Sequence, residues 1–150
     1  MDISVVLHNV TSSQRLVDFA KLVFGLNVKR FVVTKVSGTA AQAGIPDVGR
    51  LALKNNKSLI VLPDLKDAVE LLAPKKVYLF SPFAQVEIES SDIQGESMIV
   101  FAGIENGFTK IEQSLGDHVT LKSMKVDAGP VAYASAVLYC SLVNGKSQIG

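Results

Sequence analysis

The residues best placed to do chemistry sit in one short loop, Gly103-Ile104-Glu105-Asn106-Gly107, where an acid and an amide lie between two glycines directly after an apolar run. A second apolar run, Val119-Thr120-Leu121-Lys122-Ser123-Met124, has an irregular exit, and Gly129-Pro130 then opens a helix of small residues. Proline suits that first helical position because the N–H it lacks would be unpaired anyway. Two strand ends and a helix start would meet at one end of a parallel sheet, the usual seat of a ligand. His8 falls just past the first strand, where such sheets also place ligands, although a lone histidine is usually structural. His118 reads as a solvated turn residue and Arg15 as a solvated helix residue.

Other chemistries are excluded by what is missing. There is no Gly-x-x-x-x-Gly-Lys-Ser/Thr phosphate loop and no Gly-x-Ser-x-Gly elbow. Two distant histidines and the single Cys140 make no transition-metal cluster, so no metal is expected. A carboxylate nuclease would want Glu-x-Lys after an upstream Asp; Glu87-Ile88-Glu89 lacks the lysine, and that reading is rejected.

The elements that must position these residues follow from periodicity. Strands are expected at Ile3–Leu7, Val28–Thr34, Ser58–Leu62, Val77–Phe80, from Met98, and from Asp117. Thr11 to Gln14 offers a capping box for a helix whose Leu16, Phe19, Ala20, Val23 and Phe24 form one apolar stripe, with Gly25 as its left-handed stop. Gly38 to Asn56 reads as a polar loop and then a helix through Leu51 and Leu53, and Pro63-Asp64 starts another with Leu65, Val69 and Leu72 inward. Val86–Glu89 alternates like an exposed edge strand, and Glu105 is a candidate cap for a helix over Gly107–Leu115. Short apolar strands alternating with amphipathic helices predict an α/β fold: a mostly parallel sheet with helices on both faces.

The 150 residues make one domain, 1–150, without linker or repeat. Fifteen basic and fourteen acidic side chains leave almost no net field, which counts against gripping a long nucleic acid unaided. Neither a signal peptide nor a membrane-length apolar run is present, so a cytoplasmic protein with no membrane partner is expected.

Phe101-Ala102-Gly103-Ile104-Glu105-Asn106-Gly107, the Val119–Met124 exit and the small-residue helix from Pro130 resemble, in that order, the C-terminal half of the SPOUT (SpoU-type) RNA methyltransferases. Val5–Val10 and Val23-Phe24-Gly25 resemble that family's opening strand and helix end. The resemblance implies a C-terminal trefoil knot, a homodimer and S-adenosylmethionine as cofactor, with RNA as methyl acceptor. It places the cofactor against Ala102, Gly103, Glu105, Asn106, Gly107, Leu121, Met124 and Pro130, and leaves Arg15 and Glu105 as the polar catalytic candidates. It also shows departures. Ser13 and Phe19 stand where ribose-methylating members carry Asn and Arg, and Asp127-Ala128-Gly129 replaces their Ser-Leu-Asn. A catalytically silent dimeric binding or scaffold module is therefore the alternative. A third reading is an unknotted flavodoxin-like domain in which Asp64 and Ser81-Pro82 line a different site at the strand ends.

Overall fold

The computed structural model describes residues 2–124 and 127–144. Seven strands form one sheet: β1 (Ile3–Val10), β2 (Arg30–Val36), β3 (Ser58–Leu62), β4 (Lys76–Phe80), β5 (Val86–Ile88), β6 (Ser97–Ala102) and β7 (Asp117–Leu121). Every pairing is parallel, in the order β3-β2-β1-β6-β4-β7-β5, so β6 is inserted between β1 and β4. Continuous apolar runs are the signature of strands buried on both faces. Here β1, β4 and β6 are buried almost throughout, while the edge strands β3 and β5 are half open.

One face of the sheet packs against α1 (Ser13–Gly25), α3 (Ile45–Lys54) and α6 (Pro130–Tyr139), the other against α4 (Leu65–Leu72) and the segment bearing α5 (Lys110–Gln113). On the first face Phe101 packs against Phe19, Phe80 and Tyr133, with ring centroids 6.0–6.2 Å apart. The expected stripe of α1 is buried at all five positions. Several details differ from expectation. Ser12, not Thr11, caps α1 by accepting the Arg15 N–H, and Gln14 reaches forward to Asp18. Gly25 lies inside the helix; the left-handed turn falls to Asn27 at φ 63°, since asparagine tolerates that conformation. The expected loop after Gly38 is largely helical: α2 (Thr39–Ala43) precedes α3, which buries Val48 and Ala52 and leaves Leu53 exposed. Glu105 is not the cap of α5: Thr109 and Glu112 form its capping box. His118 is on β7, half-buried beside Phe108, rather than in a solvated turn.

At the C-terminal ends of β1 and β2 the alternation slips. His8 pairs with Thr34 and Val10 with Val36, and the residues between, Asn9 and Lys35, are both left-handed at φ 66° and 52°. Strict alternation would send Leu7 and Val10 to opposite faces, as it would Val33 and Val36. All four instead pack on the α1 face. Each strand thus carries one extra residue at the same level, a paired bulge that leaves His8 and Thr34 on the α4 face with Asn9 and Lys35 beyond them.

Candidate metal centre

His8, Asp64 and Glu112 come together at the C-terminal edge of the sheet, each offering one ligand atom, all within 4.8 Å of one another. Their positioning is local and separate in origin. His8 is the last α4-face residue of β1 before the bulge and is fully buried. Asp64 is exposed and is the N-cap of α4: its Oδ1 accepts the Leu65 N–H at 2.8 Å, and a capping box with Asp67 fixes the carboxylate at the helix start. Glu112 belongs to the α5 capping box: Oε1 accepts the Thr109 N–H at 2.9 Å, turning Oε2 toward His8.

A carboxylate only accepts, so His8 donates Nε2–H to Glu112 Oε2 at 2.6 Å; Nδ1 lies 2.7 Å from the Thr34 hydroxyl, which can donate to it or accept from it. Burial pushes the Glu112 carboxyl up, but the Thr109 N–H, the bond and charge of His8 and the charge of Lys35 outweigh it. The group is held below the usual carboxylate range. Hydroxyl, imidazole and carboxylate in a row also describe an activated nucleophile. Thr34 is fully buried, however, and no substrate can reach its oxygen. A divalent ion fits the donor set better. Ligands around one such ion stand roughly 3 Å apart, given bonds of about 2.0–2.2 Å, so an ion replacing the shared proton needs only a slight opening of the His8–Glu112 contact.

The residues expected to bind a cofactor lie partly elsewhere. Ala102, Glu105, Gly107 and Pro130 line a narrow cleft on the opposite face of the sheet, with Phe80, Phe83, Asp127 and Tyr133. Gly103, Asn106, Leu121 and Met124 are not in its lining. The missing side chain of Gly103 serves the sheet: a Cβ there would lie 2.7 Å from Asn9 O and 3.0 Å from Val10 Cα. Its N–H bonds His8 O at 2.7 Å, and its own carbonyl accepts from Arg15 Nη1 at 2.9 Å, so Arg15 holds this loop to α1.

Comparison with known proteins divides fold from family. The SpoU methyltransferase AviRb from Streptomyces viridochromogenes superposes with a TM-score of 0.75 at 9% identity, over 97% of this chain but only 60% of that one. A probable methylase family protein from Haemophilus influenzae gives 0.75 at 15%, over 99% of this chain and 66% of that one. At such identities the likeness establishes the α/β architecture that the resemblance implied. The sequence relatives point elsewhere. Residues 38–140 match the family described as "RecB-family nuclease (DUF2122)", and the chain belongs to that family. A protein of Aeropyrum pernix named "Putative type II restriction enzyme ApeKORF2002P" is 39% identical over all of this chain and 99% of its own length. One of Methanocaldococcus jannaschii with the same kind of name is 32% identical over 75% of this chain and 78% of its own.

These findings overturn the expected function. Neither S-adenosylmethionine-dependent RNA methylation nor a silent scaffold describes a chain whose sequence relatives carry nuclease names. The AdoMet complex among the solved structures belongs to AviRb, at 12% identity. Glu-x-Lys is a local pattern, whereas the two acids here come from separate elements, Asp64 from the start of α4 and Glu112 from α5. Among the described residues, no helix is long and apolar enough to cross a membrane.

Proposed function

We propose that this protein is a divalent-metal-dependent nuclease whose ion is held by His8, Asp64 and Glu112. The observation that carries the reading is the convergence of those three donors within 4.8 Å at the ligand-binding end of a parallel sheet. Membership of a family described as nuclease supports it. One imidazole with two carboxylates suits manganese or zinc better than magnesium, which prefers oxygen ligands and water. A bound divalent ion would polarise a phosphoryl oxygen and render a bound water nucleophilic near neutral pH.

The chain's own groups prepare that site. Thr34 fixes the imidazole plane and can donate to Nδ1 or accept from it, so either nitrogen of His8 can be freed without stranding a proton. Thr109 fixes the Glu112 carboxylate, and the first turn of α4 fixes Asp64. With a formal net charge of +1 the protein has almost no net field to draw in a phosphodiester, so a cation local to the centre matters more.

The test is cleavage of single-stranded and duplex DNA and of RNA with manganese, zinc or magnesium, beside calorimetric titration of the metals. Asp64→Asn keeps a good helix cap while removing the charge, and Glu112→Gln keeps the acceptor for Thr109. Each is expected to lower metal-dependent cleavage by about a hundredfold or more. Cleavage that survives chelation, or a wild type that binds none of the three metals, would overturn the reading.

A further inference from the structure

The paired bulge delivers a free cation to the edge of this centre. Lys35 is exposed, and its backbone N–H donates to Pro63 O at 3.0 Å, which ties it to the residue just before Asp64. It follows Thr34, the partner of His8, and its charge is felt by Glu112. Lys66, Lys75, Lys76 and Lys122 each stand within 4.0 Å of a carboxylate. Among the described residues Lys35 makes no such pair, and neither do Lys21, Lys29, Lys54, Lys57 and Lys110; what sets Lys35 apart is its place beside Thr34 and Pro63. A left-handed backbone is uncommon for lysine and carries a conformational cost, and here it occurs opposite a second left-handed residue at the same sheet level. Without the slip, residue 35 would take the α1 face where Val33 and Val36 pack, buried away from the centre.

We propose that Lys35 is a substrate-binding residue that grips a non-bridging oxygen of the phosphodiester beside the His8, Asp64 and Glu112 centre, and that the Asn9/Lys35 bulge pair exists to present it. The proposal rests on the nuclease reading. An ammonium next to a metal centre lowers the affinity for a bare cation and raises that for a cation carrying an anion, so its two effects have opposite signs. A nearby lysine without a substrate role would produce the first effect but not the second.

The variants are Lys35→Asn, which removes the charge but tolerates the left-handed backbone, and Lys35→Arg, which keeps the charge. The first readout is manganese affinity by calorimetry, which Lys35→Asn should raise severalfold. The second is binding of a short phosphorothioate DNA strand, which resists cleavage, to the manganese-loaded protein. Lys35→Asn should weaken it about tenfold and reduce the salt dependence by one phosphate contact, and Lys35→Arg should restore both. Unchanged manganese affinity in Lys35→Asn, or unchanged DNA binding beside a wild type that does bind, would overturn the role of Lys35 alone. A wild type that takes up manganese yet binds no phosphodiester would overturn the nuclease reading and this proposal with it.

Discussion

Glu112 has two jobs in this structure, and two substitutions separate them. Replacing it with alanine leaves His8 Nε2 buried without a partner, which costs about 1–3 kcal/mol, and opens the reciprocal half of the α5 capping box, worth about 0.5–1 kcal/mol more. Together that is about 2–4 kcal/mol, or a fall in Tm of about 5–15 °C for a chain of this length. Glutamine keeps the acceptor for the Thr109 N–H and turns its amide N–H toward His8. The ring accommodates this by moving its proton to Nδ1, because the Thr34 hydroxyl can accept it. Glu112→Gln is therefore expected within about 1 kcal/mol of wild type in the absence of metal. Manganese reverses the likeness. At a hundredfold excess over its Kd, it stabilises the wild type by about 2.7 kcal/mol, and neither variant should show that gain. The assay is thermal unfolding of the three proteins in chelator and in manganese. If Glu112→Gln keeps the full metal-induced rise in Tm, Glu112 is not a ligand and the centre has been assigned wrongly. If Glu112→Ala unfolds with the wild type in chelator, His8 does not depend on it.

Two further outcomes follow from packing. Gly103→Ala should destabilise the protein by about 1–3 kcal/mol in chemical denaturation with no ligand present. Its Cβ would meet the β1 backbone on both sides, Asn9 O at 2.7 Å and Val10 Cα at 3.0 Å; unaltered stability would refute that account of the glycine. Burial pushes the Tyr133 phenol up to about 12, against the opposing influence of its bond to Thr120. A pKa raised in the folded state gives stability that is intact below the unfolded value of 10.0 and is lost as pH climbs toward about 12. Wild type should lose stability more steeply than Tyr133→Phe across that interval, and parallel curves would show that the phenol is not protected.

Local physics made much of this fold legible. The stripe of α1, the strand Ser58–Leu62, the exposed strand at Val86 and the start of α6 at Pro130 all follow from periodicity and caps that act within a few residues. The paired bulge did not, because nothing in Leu7-His8-Asn9-Val10 or Val33-Thr34-Lys35-Val36 marks the slip; it appears only when both valines are seen on the α1 face. The site was legible in fragments. His8 and Asp64 stand out in sequence as polar residues at strand ends, but Glu112 lies unmarked inside the expected helix Gly107–Leu115, and the structure shows it in the α5 capping box.

Glu112 lies 104 residues from His8, and what brings them together is the insertion of β6 beside β1, which is not encoded near either residue. The same insertion separates a polar cluster and a cleft on opposite faces of one sheet. The end of β6 turns Phe101 into the cleft on the α6 face, while the segment that follows returns to the α4 face and hands Glu112 to His8. Methyltransferase-like topology therefore constrains where ligands gather, at the carboxyl edge, without fixing on which face or with what donors. In this chain the buried imidazole, with its hydroxyl behind and its carboxylate in front, lies on the face opposite the cleft.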